Sequence, residues 1–117
     1  AFLINHPLLV APLAKANSDG TTAQIFQPIL AGSEIGKGYS ELNDPLDQRA
    51  RFEKQQELLA GGDDEAMMMD ESFIEMLEHG MPPTCGFGFG ERLFAFLMDK
   101  PIREVHMFPL VKPKKEL

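Results

Sequence analysis

Two short stretches of this chain hold residue types that recognition chemistry needs. In the first, Gly86-Phe87-Gly88-Phe89-Gly90-Glu91-Arg92, glycine and phenylalanine alternate. On a strand, that alternation puts the rings on one face and leaves the other bare. A bare face lets a flat ring or a phosphate lie against the backbone, while the phenylalanines are expected to anchor the strand in a core. Arg92 then offers a planar, permanent cation that can stack on a base or pair with a phosphate. The spacing is not a dinucleotide fingerprint, because Glu91 stands where G-x-G-x-x-G requires its third glycine. A tightly packed strand without any ligand would show the same glycines.

The second stretch runs Glu34-Ile35-Gly36-Lys37-Gly38-Tyr39-Ser40-Glu41. Strand periodicity places Lys37, Tyr39 and Glu41 on one face, with Glu34 on the other unless a bulge shifts it. A carboxylate beside a phenol suits an ammonium ligand, through charge-assisted hydrogen bonding and cation–π contact. The plainer alternative is a solvated face on which Lys37 and Glu41 form a surface ion pair. The acidic run Asp63-Asp64-Glu65 and the methionines at 67–69 lack calcium-loop spacing, and read as a solvated loop with gap-filling methionines. His6, His79 and His106 show no metal-ligand spacing, and His79 suits a helix C-terminus. Cys85 has no base near it in sequence and is expected to be a small packed residue.

These residues need elements to hold them. Residues 1–5 read as a short strand, and the Asn17-Ser18-Asp19-Gly20 cluster as a turn. Residues 23–31 read as a strand whose Pro28 belongs at an edge or a bulge. Gly32-Ser33 makes a hairpin turn into a strand from Glu34 to Leu42, weakened by Gly36 and Gly38 unless a ligand or another backbone approaches there. Asp44-Pro45 starts a helix that runs to about Leu59 and stops at Gly61-Gly62. A second helix begins at Asp70, turns Phe73, Ile74, Met76 and Leu77 to one side, and ends at Gly80. Met81-Pro82-Pro83 forces extended backbone. A third helix runs from Glu91 to about Asp99, Pro101 opens a short turn, and HMFPLV reads as a final strand. The fold class is α+β, an antiparallel sheet with flanking helices.

Composition sets the outer bounds. With 117 residues, 44% of them apolar, the chain is one domain or part of one. No apolar run approaches the roughly 20 residues of a transmembrane helix, so no membrane is expected. The opening AFLINHPLLVAPLAK lacks a basic leader and is not expected to be a signal peptide. It starts within a strand-like run, as a truncated domain would. The single cysteine excludes an internal disulfide and fits a reducing, cytoplasmic location; the terminal KKEL is read as chance. Net charge is −7, and no basic patch marks a nucleic-acid grip, so any RNA contacts are expected elsewhere.

In order and spacing, four segments (INHPLLVAPLAK, EIGKGYSELNDPLDQRARFE, GDDEAMMMDESFIEMLEHGMPPTCGFGFGERL and IREVHMFPLVKPK) closely resemble the end of class II lysyl-tRNA synthetases. The resemblance covers essentially the whole chain. It implies that residues 1–117 are the C-terminal part of a class II catalytic domain, with the glycine strand and Arg92 as motif 3. Nothing resembles motif 1, motif 2 or the anticodon-binding barrel. The implied reaction is lysine activation with ATP and Mg2+, then transfer to tRNA(Lys), by a protein that is a homodimer when complete. By the same resemblance Arg92 is the catalytic arginine that braces ATP, with Glu34, Ile35 and Gly90 in the ATP subsite. Glu41 would meet the lysine ε-ammonium beside Tyr39, Lys37 would lie in the amino-acid pocket, and Gly88 would floor it. Glu34 would hold magnesium.

Three positions depart from the family pattern. Gln27 replaces a second metal-binding glutamate, Lys37 replaces an asparagine, and motif 3 lacks one apolar residue before Glu91. Two other readings stay open: a paralogue that lysylates elongation factor P, and a non-catalytic domain binding lysine, nucleotide or another protein.

Overall fold

The computed structural model describes residues 1–110. Five strands form an antiparallel sheet: β1 (Phe2–Ile4), β2 (Ile25–Leu30), β3 (Ser33–Glu34), β4 (Gly36–Ser40) and β5 (Cys85–Phe89). They lie in the order β1-β2-β4-β5, with β3 continuing the β4 side against β2. Four helices accompany them: α1 (Pro45–Ala60), α2 (Glu71–Glu78), α3 (Glu91–Met98) and the short α4 (Ile102–Val105). The α+β reading holds. No helix among the described residues is long and apolar enough to cross a membrane.

The local signals work as their chemistry dictates. The Asp19 carboxylate accepts from the backbone N–H of Thr21 and Thr22 and closes the turn, with Gly20 at φ +66°. Asp44 caps α1 by accepting from Leu46 and Asp47, with Pro45 in the first turn. Asp70 caps α2 through Phe73 N–H, and Gly80, at φ +101°, follows its last turn.

Pro28 lies inside the sheet rather than on an edge, and it sits at a bulge. Strand β2 pairs with β4 at Phe26↔Gly38 and with β3 at Ile29↔Glu34, so residues 35–37 stand opposite only Gln27 and Pro28. The extra residue divides the expected single strand into β3 and β4 at Ile35, whose N–H still reaches Pro28 O at 3.1 Å.

One core cluster lies under the sheet: Ala11, Ala14, Ala23 and Ile25, with Leu8 and Tyr39 packed against it. Phe52 of α1 and Ile74 and Leu77 of α2 form a second buried group. Between them runs segment 8–16, a 3-10 turn (Leu8–Val10) followed by irregular backbone, some of whose carbonyls are taken up by α1. Gln48 Nε2 donates to Pro12 O, Arg51 Nη1 to Ala14 O and Gln55 Nε2 to Leu9 O. A polar helix face thus satisfies backbone that no sheet partner reaches.

Three expectations fail toward the C-terminus. Residues 106–110 form no strand and are exposed, with Met107 at 87% and Phe108 at 85%. Pro109 removes a ladder donor there, and Val111 lies outside the described residues. Phe87 and Phe89 do not anchor β5 in a core, being 54% and 68% exposed. They continue an aromatic row across the sheet, Phe2–Phe26–Phe87–Phe89, in which Phe26 and Phe87 stack at 5.4 Å. Cys85 is likewise exposed, because no described element covers that stretch of β5.

Candidate functional site

The register of β4 against β5 builds the site. Lys37 pairs with Gly88 and Tyr39 with Gly86, so the side chains of β4 stand over the bare glycine positions of β5. Two contacts align the strands: Glu41 N–H donates to Thr84 O at 2.9 Å, and Asn43 Nδ2 to Met81 O at 3.1 Å. On the opposite face, Gly36 and Gly38 leave room for protein rather than ligand. A Cβ at Gly36 would come within 2.7 Å of Gly88 O, and one at Gly38 within 2.7 Å of the Phe26 ring. A Cβ at Gly88 would meet nothing, so its bare side opens onto free space.

That space is a cleft of about 540 Å³ lined by Glu34, Ile35, Lys37, Gly88, Gly90 and Arg92, among others. The bulge at Ile35 resets the strand alternation and so lets Glu34 and Lys37 share one cleft. Gly90 N–H donates to Ile35 O at 2.9 Å, and α3 starts at once without a side-chain cap, which carries Arg92 into the cleft from the second helical position. The shortened glycine stretch is therefore compatible with a cleft-facing arginine. The uncapped first turn also adds its partial positive charge. The neighbouring Glu91 carboxylate is occupied by His106 Nδ1.

Tyr39 and Lys37 also line a second cavity, of about 340 Å³, with Ala14, Ile25, Gln55 and Met67 on its walls. Glu41 lies beside it, close enough to Gly86 that a Cβ there would be 3.1 Å from Oε1. Its carboxylate has no ion-pair partner among the described residues, so the expected alternative, a Lys37–Glu41 surface pair, is not formed. Burial pushes the Glu41 pKa up, and burial followed by the charge of Glu41 pushes the Tyr39 phenol up. A half-buried, unpaired carboxylate next to a phenol is a poor arrangement by itself, and a bound cation would relieve it.

Gln27 stands apart. It lies on β2 paired with Leu3 of β1, is not among the residues lining the cleft, and offers only a neutral amide. Among the described residues no three Asp, Glu, His or Cys side chains are grouped to hold a metal. Glu34 is the one carboxylate named for magnesium that does line the cleft.

The bulge was one of the alternatives the residue pattern allowed; two features escaped it, the room Gly86 leaves for Glu41 and the α1 amides that fix the cavity wall. Gln55 shows the last most clearly, since its Oε1 also accepts from Met67 N–H at 3.1 Å. The spacing of Gln48, Arg51 and Gln55 on one helix face was the available signal.

Residues 1–112 match the sequence model of the class II tRNA synthetases (D, K and N). The chain belongs to this family. The lysine–tRNA ligase of Thermotoga maritima is 50% identical over 117 aligned positions, covering 97% of this chain and 23% of that protein. The lysine–tRNA ligase of Moorella thermoacetica is 47% identical, covering 98% and 24%, and that of Pediococcus pentosaceus 49% identical, covering 96% and 23%. The chain thus spans about a quarter of the length of these curated relatives.

Proposed function

We propose that this chain supplies part of the lysine and ATP subsites of a lysine–tRNA ligase, acting within a longer polypeptide as the C-terminal portion of its catalytic domain. The observation that carries the reading is the convergence of Glu34, Ile35, Lys37, Gly88, Gly90 and Arg92 on one cleft, joined through Lys37 to the cavity beside Tyr39 and Glu41. The relatives' names favour tRNA over an elongation factor as the acceptor.

The chemistry assigned to these residues is mostly positioning and charge neutralisation. Glu41 receives the lysine ε-ammonium, and Tyr39 offers its ring and hydroxyl beside it. The lysine carboxylate then reaches across the bare floor at Gly88 toward the α-phosphate of ATP. Its oxygen forms a bond to that phosphorus while pyrophosphate leaves, and a hydroxyl at the 3′ end of tRNA(Lys) later attacks the activated carbonyl, releasing AMP. Arg92 pairs with the phosphates and braces the nucleotide. Glu34 would hold a magnesium ion, which would supply further neutralisation of the departing charge. Homodimerisation, the tRNA contacts and a cytoplasmic location belong to this proposal for the complete protein. With net charge −7, these 117 residues do not offer the main RNA surface.

The test is lysine-dependent ATP–pyrophosphate exchange by the complete gene product. Arg92→Ala is expected to lower the exchange rate by about 10²–10³-fold, the usual effect of removing one donor to developing charge. The 117 residues alone are expected to give no exchange. Absence of lysine-dependent exchange by the complete product, or an unaltered rate in Arg92→Ala, would overturn the proposal.

A further inference from the structure

Among the described residues, Lys37 alone lines both the proposed nucleotide cleft and the cavity beside Tyr39. It is exposed, and among the described residues its ammonium has neither an ion-pair nor a hydrogen-bond partner. Arg92, which lines the same cleft, likewise has no ion-pair partner among the described residues. The acids are fewer. Glu91 is held by His106, which leaves Glu34 as the only uncommitted carboxylate lining the cleft among the described residues. Gln27 contributes no anion, and no three donors are grouped for a metal among the described residues. A cleft with two free cations and one free carboxylate is built to meet an anion directly, not to gather several divalent ions around carboxylates.

Resting on the nucleotide reading above, we infer that Lys37 is a phosphate-binding residue at the junction of the two cavities, and that it supplies positive charge which a second protein-held metal ion would otherwise bring. A lysine ammonium binds phosphate as a strongly hydrated point charge, and needs no fixed ligand geometry. Its place between the cavities is where an amino-acid carboxylate and an α-phosphate must meet. There the ammonium attracts both anions, and it turns the amino acid so that its own ammonium faces Glu41. Nucleotide binding here should therefore depend less on magnesium than the carboxylate chemistry of such a site would require.

The experiment is calorimetric titration of ATP into the complete gene product, with magnesium or with excess chelator, for the native protein, Lys37→Asn, Lys37→Arg and Arg92→Ala. Lys37 is exposed, so circular dichroism is expected to show all Lys37 variants folded. For the native protein, removing magnesium should weaken ATP by less than about tenfold. For Lys37→Asn the same removal should weaken it by about 10–100-fold more than that, the worth of one charged contact, and Lys37→Arg should stay close to native. Equal magnesium dependence in native protein and Lys37→Asn would overturn this inference, and would leave the nucleotide reading standing if Arg92→Ala still weakens ATP. No ATP binding by the native protein under either condition would overturn both.

Discussion

Helices α1 and α2 bury Phe52, Ile74 and Leu77 almost completely, whereas from β5 through α4 only Ala95 is buried. Both regions carry apolar residues at helical spacing, so periodicity does not separate them. Packing partners do. The first region closes on itself and on segment 8–16, through Gln48, Arg51 and Gln55. The second leaves Phe94, Phe96 and Leu97 more than half exposed, and is joined to the rest chiefly by the β4–β5 ladder and the Phe26–Phe87 stack. The candidate site straddles the two. Tyr39 and Glu41 sit against the packed region, while Gly88, Gly90 and Arg92 ride on the thinly packed one. The acid that waits for a cation is thus held by a core, and the arginine that meets phosphate is held by backbone ladder geometry.

The sharpest way to break this comparison is to truncate one aromatic in each region. Phe52→Ala should cost about 3–5 kcal/mol, as a buried phenylalanine does, whereas Phe89→Ala in the isolated chain should stay within about 0.5 kcal/mol. Urea denaturation of both variants measures the contrast, and equal losses would mean that β5 is as firmly packed as α1.

A pair of glycine variants separates packing from function within the site. Gly36→Ala would push a methyl group to 2.7 Å from Gly88 O and should destabilise by about 1–3 kcal/mol. Gly88→Ala meets no atom, so stability should hold while ATP and lysine binding by the complete product fall. If Gly88→Ala binds ATP and lysine normally, the bare face of β5 is not a ligand floor.

The smallest effect is electrostatic. Because burial raises the Glu41 pKa above its ordinary 4.5 in the folded state, the folded protein holds that proton more tightly than the unfolded chain. The stabilisation this gives is complete below pH 4.5 and disappears as pH rises through the raised value, leaving a half-buried charge at neutral pH. Glu41→Gln should therefore raise the melting temperature slightly at pH 7 and leave it unchanged in acid, while weakening lysine binding. A lower melting temperature at pH 7 would show that Glu41 is already paired.

Much of this was legible in the residues. Asp44-Pro45, Asp70 and the glycine–phenylalanine alternation carry their own local physics, and the elements they mark form where expected. The candidate site residues were named through the family resemblance, because the residue pattern alone also fits a tightly packed strand or a solvated face. What could not be read is what depends on partners distant in sequence. The residues allowed a bulge near Pro28 but did not decide it; it arises from how β3 and β4 share β2, and without it strand alternation would leave Glu34 facing away from Lys37. The exposure of Phe87, Phe89 and Cys85 depends on what covers β5, which no local pattern records. Gln48 and Gln55 would pass for a solvated helix face, yet both are buried against segment 8–16.

The most direct test of the account is residue-resolved amide chemical-shift mapping of the complete gene product, titrated separately with lysine and with ATP. Lysine should shift Tyr39, Glu41 and Gly86, ATP should shift Glu34, Gly88, Gly90 and Arg92, and Lys37 should respond to both. Shifts confined to the phenylalanine face, at Phe26, Gly38 and Phe87, or to α1 and α2, would contradict it.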